Sequence, residues 1–303
     1  MTAVDITEML ILTEPRSWVR LHQLGFCIFM RIDEQEQDKA MYVLPPIYEV
    51  PSGSFLLGTN KAEDFNEAFH QESFFAYLQH EVLTEAYAIG RYPVTVAEYA
   101  CAVRAGVINA PQMGLDMTWQ QQLQEPDFPV VGISWFEAQA YAVWLTEMTQ
   151  LSWRLPTEAE WKKAFLQTKE ECEARWGKDY WRIKEVGEAP TDRKIPSHFC
   201  QLIGKRYAIG EFDENDEGIP STMHDRHSTV FEWTHSLDLP YPYSAALAEN
   251  ESDTHSARRL CGTSSIRIHY PIGWARGGGL AAPPPTRYDG LGFRLVRDAM
   301  DDR

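Results

Sequence analysis

The spacing of apolar residues predicts three short helices between residues 95 and 165. Apolar side chains recur three and four positions apart after Thr95, Ser134 and Thr157. Each of these hydroxyl residues is followed three positions later by a glutamate, which is the spacing of a capping box. A helix is therefore predicted to begin at each of the three, and Gly106 is expected to end the first.

The rest of the pattern predicts short strands and turns. Residues 42–59 combine three prolines with β-branched and aromatic residues, a mixture typical of edge strands and turns. Beyond residue 175 the chain is rich in glycine, proline and polar residues, with brief strand-like pieces at 206–212 and 292–296. Few short helices, short strands and long irregular connections predict a mixed α+β domain that is ordered by packing.

A charged stretch at residues 33–39 divides the chain. We assign residues 1–44 to an N-terminal extension, residues 45–297 to one domain and residues 298–303 to a C-terminal tail. The three predicted helices all lie in the domain, and so do most of the aromatic residues.

The acidic composition argues against one class of partner. The chain has 28 basic and 44 acidic residues, a net charge of −16. Nucleic acid is not an expected partner, because phosphate backbones attract positive surfaces. The apolar run at residues 24–32 is far shorter than the roughly 20 residues that span a bilayer, and no secretory signal pattern is visible at the N-terminus. We therefore expect no membrane partner and a cytoplasmic location.

The cysteines do not form a recognisable metal or redox motif. They are odd in number and widely spaced, without a Cys-x-x-Cys pair: Cys27, Cys101, Cys172, Cys200 and Cys261. Most are expected to be buried reduced thiols, with a Cys172–Cys200 disulfide as the less favoured alternative.

Seven segments, taken in order, resemble one known superfamily. They are Val50–Gly58, Tyr87–Thr95, Pro129–Trp135, Trp153–Trp161, Arg175–Gly177, Val230–Thr234 and Gly292–Val296. They are similar to formylglycine-generating enzymes and sulfatase-modifying factors, whose domain is a variant of the C-type lectin fold. The resemblance implies that fold for residues 45–297. We expect Trp153 and Trp161 to be buried, since they supply large apolar area to a loop-rich core.

The resemblance also bears on copper chemistry. Oxidases of this superfamily bind copper(I) through two cysteines in the C-terminal part of the domain. Here no cysteine follows Cys261, and Cys261 itself lies where the family commonly has arginine. Copper-dependent formylglycine synthesis is therefore not expected.

Relatives in the superfamily also bind iron or calcium, so both metals are considered for this chain. Iron-dependent sulfoxide synthases of the superfamily carry a His-x3-His-x-Glu set, and that spacing does not occur here. His224, His227, Glu232 and His235 form the densest group of metal-ligand residue types, although hydrogen-bonded histidines are the commoner explanation of such a group. Relatives use this region for calcium, so Glu232 is a candidate ligand of a weak calcium site, the one cofactor expected.

The divergent segment at residues 261–290 is the candidate recognition surface. It is rich in glycine and proline and carries arginine and aromatic residues, which dominate binding hot spots. The candidate ligand-binding residues are Arg267, His269, Tyr270, Trp274, Arg276, Arg287, Tyr288 and Asp289, and those from Arg267 to Tyr288 are expected to lie largely exposed on one face.

We therefore interpret the chain as a non-catalytic binding protein for a protein or small-molecule ligand. It resembles the variable proteins of diversity-generating retroelements, which place a hypervariable segment just before a terminal Gly-Phe-Arg, here Gly292 to Arg294. One alternative is a metal-dependent oxidase or other enzyme of the superfamily. Another is an assembly or effector subunit that binds its partner through the N-terminal extension.

Overall fold

The computed structural model describes residues 15–32, 39–58, 79–111, 117–165, 208–209, 230–249, 253–262 and 280–299. Its helices are α1 (Pro15–Gln23), α2 (Val96–Arg104), α3 (Trp119–Gln122), α4 (Trp135–Thr149), α5 (Glu158–Ala164) and α6 (Ala245–Ala248). Its strands are β1 (Cys27–Ile32), β2 (Lys39–Leu44), β3 (Ile47–Val50), β4 (Gly53–Leu57), β5 (His80–Thr84), β6 (Tyr87–Gly90), β7 (Trp153–Arg154), β8 (Phe231–Leu237), β9 (Arg258–Gly262), β10 (Leu280–Ala282), β11 (Leu291–Phe293) and β12 (Val296–Asp298).

All three predicted capping boxes are present and begin helices α2, α4 and α5. In each, the hydroxyl accepts from the glutamate's backbone N–H while the glutamate side chain accepts from the cap residue. Helix α2 ends at Arg104, and Gly106 follows with a φ of 70°. A fourth box, with Thr118 and Gln121, begins the short helix α3 and was not predicted.

The strands pair in two four-stranded sheets and two hairpins. The first sheet, here called the C-terminal sheet, has the order β10-β9-β8-β11, and only its β8–β11 pair is parallel. The second has the order β3-β6-β12-β7. Strands β1 and β2 form one hairpin, and β4 and β5 form the other. The predicted piece at 292–296 is therefore divided between two sheets, since β11 and β12 belong to different ones.

Most buried apolar side chains belong to one large cluster between the helices and the C-terminal sheet. Trp153 lies in this cluster, and Trp161 lies in a second one with Phe165 and Cys261. Both tryptophans are buried, which confirms the prediction for this segment. In the described part of the chain no helix is long and apolar enough to span a bilayer.

Residues assigned to the N-terminal extension also pack into the large cluster. Leu21 and Phe26 come from α1 and the turn after it, and Tyr42 and Val43 come from β2. All four are buried. This part of the extension therefore shares the core of the residues that follow it.

Candidate functional site

One end of the C-terminal sheet gathers the segments that the sequence singled out. Phe231, the first residue of β8, pairs with Gly262 at the end of β9 and with Leu291 at the start of β11. Leu280, the first residue of β10, pairs with Leu260 of β9. Three strands begin and one ends here, and we call this the Phe231 end of the sheet.

Five of the eight candidate binding residues lie outside the described residues: Arg267, His269, Tyr270, Trp274 and Arg276. They belong to residues 263–279, which connect β9 to β10. Because these two strands pair with each other, the residue before the segment and the residue after it both lie at the Phe231 end. His224 and His227, also outside the described residues, precede β8, which begins at the same end.

Strand β9, which leads into that segment, is held by two buried arginines. The Arg258 guanidinium lies 4.3 Å from the centre of the Trp135 ring. Arg259 contacts Asp238 at 2.9 Å and Glu158 at 3.6 Å. The segment therefore starts from a fixed strand.

Arg287 is an anchor between the divergent segment and helix α4. Its Nε and Nη2 donate to Glu137 Oε2 and Oε1 at 2.9 and 3.0 Å, a bidentate pair. Glu137 Oε2 also accepts from the backbone N–H and the hydroxyl of Ser134, which closes the capping box. Arg287 is therefore only partly available to a ligand, and Glu137 is a residue of this region that the sequence analysis missed.

Tyr288 is less exposed than predicted, and Asp289 lies beside it in the same part of the segment. Tyr288 is half-buried and packs against the large cluster, and its carbonyl accepts from the backbone N–H of Gly132 at 3.3 Å. Asp289 is buried. The prediction of a largely exposed face is wrong for Tyr288, because this part of the segment packs beside β11 and the turn before α4.

Glu232 does not have the surroundings of a calcium ligand. Arg294 donates to both of its carboxylate oxygens, at 2.6 Å from Nε and 2.8 Å from Nη2. Trp161 Nε1 donates to the same carboxylate at 2.8 Å. Both oxygens are thus engaged, and a buried guanidinium supplies the positive charge that calcium would bring. The described geometry therefore argues against the weak calcium site predicted from the resemblance.

Glu232 and His235 do not converge on a shared ligand position. Glu232 faces Trp161 of α5 and Arg294, while His235 lies against α4 with its Nδ1 3.4 Å from Gln139 Nε2. Within the described ranges no group of three or more histidine, cysteine, aspartate or glutamate side chains is placed to hold a metal.

The described cysteines are free thiols and lie apart from one another in the fold. Cys27 is exposed, while Cys101 on α2 and Cys261 on β9 are buried. Burial raises the pKa of Cys101 to about 12, and burial also raises the pKa of Cys261 well above its ordinary value. Both thiols are therefore neutral near pH 7 and are poor nucleophiles and metal ligands.

The sequence analysis also missed a buried ion pair on α5, the helix that packs against β9. Lys162 contacts Glu158 at 2.9 Å, and Tyr241 donates to the same carboxylate oxygen at 2.9 Å. Burial alone would lower the pKa of Lys162, but the Glu158 carboxylate raises it above its ordinary value. Lys162 is therefore a cation fixed by an ion pair. The four-residue spacing of Glu158 and Lys162 on a predicted helix was the available signal.

Residues 33–299 match the model of the sulfatase-modifying factor enzyme 1-like domain family, so the chain belongs to this family. The fold is accordingly α+β, of the C-type lectin-like kind found in formylglycine-generating enzymes.

Curated relatives match over a limited region. The chain is 31% identical to the hercynine oxygenase of Mycolicibacterium thermoresistibile in an alignment over 109 residues that covers 28% of this chain and 23% of that protein. It is 32% identical to the hercynine oxygenase of Mycobacterium tuberculosis in an alignment over 110 residues that covers 28% of this chain and 24% of that protein. The matched region thus spans less than a third of either relative.

Solved structures match over most of the chain at low identity. PvdO from Pseudomonas aeruginosa aligns with a TM-score of 0.55 and 20% identity, covering 89% of this chain and 98% of that one. Treponema denticola variable protein 1 aligns with a TM-score of 0.51 and 15% identity, covering 90% and 99%. At these identities the likeness shows a shared fold.

Proposed function

We propose that this chain is a non-catalytic ligand-binding member of the family and that residues 261–290 form its recognition surface. The ligand is a protein or a small molecule. In its sharper form the proposal makes the chain a variable protein of a diversity-generating retroelement, and the fold shared with Treponema denticola variable protein 1 supports that form.

The pairing of β9 with β10 is the observation that carries the proposal. The two strands that flank residues 263–279 are paired with each other, and buried Arg258 and Arg259 hold β9 in place. A segment without helix or strand periodicity on a rigid base can vary in sequence while the base is unchanged. This arrangement suits recognition, because the paired strands β9 and β10 fix the two positions between which the segment runs.

The chemistry of the described core favours binding over catalysis. Several of its buried acids and bases are engaged with one another: Glu232 with Arg294, and Glu158 with Lys162 and Arg259. The two buried thiols have raised pKa values. These groups stabilise the fold, and the arginine and aromatic residues of the divergent segment remain the candidates for contact with a ligand.

Replacing Trp274 or Tyr270 with Ala is expected to leave the melting temperature nearly unchanged, because a recognition residue contributes to binding and little to folding. Tyr288→Ala is expected to lower it, since Tyr288 packs against the core. Trp233→Ala, at a buried residue of β8, is the matched packing control and should lower it most. Differential scanning fluorimetry of the four variants makes the comparison.

Binding is tested with a displayed random-peptide library panned on the unaltered protein. Peptides that bind it should lose affinity by about tenfold or more for Trp274→Ala, the effect of a hot-spot residue. Retained affinity in both Trp274→Ala and Tyr270→Ala would exclude residues 261–290 as the surface. Equal loss of melting temperature in all four variants would show that the segment is core.

An oxygenase is the second candidate, supported by the sequence match to hercynine oxygenases. The protein would be purified, loaded with iron(II) and mixed with hercynine under oxygen. If the binding proposal is correct, we expect no hercynine-dependent oxygen consumption and no stoichiometric iron by metal analysis. Turnover that is lost in His224→Ala or His227→Ala would establish the enzyme and reject the non-catalytic proposal.

A further inference from the structure

The described part of the chain contains four capping boxes, which differ in whether the side chain that closes the box also binds an arginine. Glu137 and Glu160 each bind an arginine through both carboxylate oxygens, Arg287 in the first case and Arg154 in the second. These two glutamates close their boxes as carboxylates whose charge is matched by a neighbouring cation.

The box that begins α3 is closed by a neutral group. Gln121 Oε1 accepts from the backbone N–H of Thr118 at 2.8 Å and from its hydroxyl at 2.9 Å. A single uncharged carbonyl oxygen therefore suffices to accept both hydrogen bonds of such a box.

Glu98, which closes the box of α2, repeats the glutamine arrangement. Its Oε2 accepts from the backbone N–H and from the hydroxyl of Thr95, both at 2.7 Å. Oε1 has no hydrogen-bond partner among the described residues, and the side chain is 1% exposed. An ionised carboxylate buried with one bare oxygen and no cation is strongly disfavoured. A carboxylic acid keeps Oε2 as the acceptor and leaves only a neutral hydroxyl without a partner among the described residues, which costs less.

We propose that Glu98 is a protonated carboxylic acid in the folded protein at neutral pH and that it makes the contact between α2 and α4 sensitive to pH. Burial raises the pKa of Glu98 to about 8, while the hydrogen bonds from Thr95 oppose that shift. The inference is independent of the proposed function.

Within the described ranges, no lysine or arginine pairs with Glu98. Tyr141 of α4 and Cys101 of α2 interact with Glu98 electrostatically, and both have raised pKa values because of burial. The Tyr141 hydroxyl also lacks a hydrogen-bond partner among the described residues. Other titratable groups on α2 and on the elements packed against it include Tyr99 and Arg104 of α2, Tyr42 and Lys39 of β2, Glu137 and Glu147 of α4, and Asp127, which pairs with Arg20 at 3.5 Å. Of the cations, Arg104 interacts electrostatically with Cys101.

Deprotonation would place a negative charge between two helices whose Tyr99 and Tyr141 both contact Phe293 of β11. Helix α4 presents Tyr141 to the core and carries Glu137, which holds Arg287. Loss of the Glu98 proton is therefore expected to weaken the packing of α2 on α4, and through α4 the anchor of the divergent segment.

Stability measured against pH tests the proposal. The folded pKa of about 8 lies above the ordinary value of 4.5, so folding takes up a proton between these values. Stability from this group is fully present below pH 4.5, and the unfolding constant should rise by about tenfold per pH unit until about pH 8. We expect Glu98→Gln, a permanently neutral replacement, to lack that rise in urea unfolding between pH 5 and pH 8.

Gln121→Glu is the matched control, since it adds a carboxyl to an exposed capping box and should add no such rise. Parallel pH profiles for the unaltered protein and Glu98→Gln would overturn the proposal. Should Glu98→Gln fail to fold, carbon-13 NMR of the unaltered protein decides. One glutamate carboxyl should titrate near pH 8, and completion of every glutamate titration below pH 6 would refute it.

Discussion

Replacing Arg294 with Met is expected to lower the free energy of unfolding by about 3–5 kcal/mol, which is the cost of removing one partner of a buried ion pair. The Arg294 side chain is fully buried and donates to both oxygens of Glu232. It also donates to the carbonyls of Gly90 and Arg91 at 2.9 and 2.8 Å. The variant leaves a buried carboxylate without its cation, which urea unfolding at constant pH would measure.

Two controls separate the ion pair from the loss of a long side chain. Arg154→Met removes a partly exposed arginine from its contacts with Glu160 and Asp298, and it should cost clearly less than Arg294→Met. The double variant Glu232→Leu with Arg294→Met removes both charges and should be more stable than Arg294→Met alone. A double variant less stable than the single one would show that the unpaired charge is not the cause.

The helices could be predicted because their signals are local. A hydroxyl residue and a glutamate three positions later are enough to begin a helix, and this spacing located α2, α4 and α5. The box at Thr118 was missed because it is closed by Gln121 and is followed by only a short helix. Local chemistry therefore predicts where these elements begin, and it says little about what they pack against.

The role of Glu232 could not be predicted, because its partner lies 62 positions away in the sequence. Resemblance assigned Glu232 to calcium, and Arg294 was regarded only as part of a terminal motif. The parallel pairing of β8 with β11 brings Gly292 opposite Glu232, and Arg294 follows two residues later. Nothing in the spacing of either segment encodes this pairing.

In the candidate site, too, a partner that is distant in the sequence could not be predicted. Composition singled out Arg287 as a ligand contact, since arginine is common at binding surfaces. Its guanidinium instead binds Glu137, 150 positions earlier, and joins the divergent segment to a helix cap. A residue type can indicate that an interaction exists, but the fold decides whether the partner is a ligand or the protein itself.

Trp161→Ala is expected to destabilise the protein by about 3–5 kcal/mol, because the indole fills space that its neighbours cannot close. Trp161 is 2% exposed, its ring stacks on Phe165 with centroids 4.0 Å apart, and its Nε1 donates to Glu232. The substitution therefore removes packing area and one donor to a buried carboxylate. Urea unfolding monitored by circular dichroism measures the loss without depending on tryptophan fluorescence.

Trp161→Phe separates these two contributions. It keeps an aromatic ring beside Phe165 but cannot donate to Glu232, so it should cost about 1–3 kcal/mol, the range for an unsatisfied buried polar group. Trp119→Ala, at a half-buried tryptophan of α3, provides the comparison and should cost less than Trp161→Ala. Removing a buried indole should cost more stability than removing a half-buried one. A smaller loss of unfolding free energy in Trp161→Ala than in Trp119→Ala would therefore contradict a central packing role for the segment Trp153–Trp161.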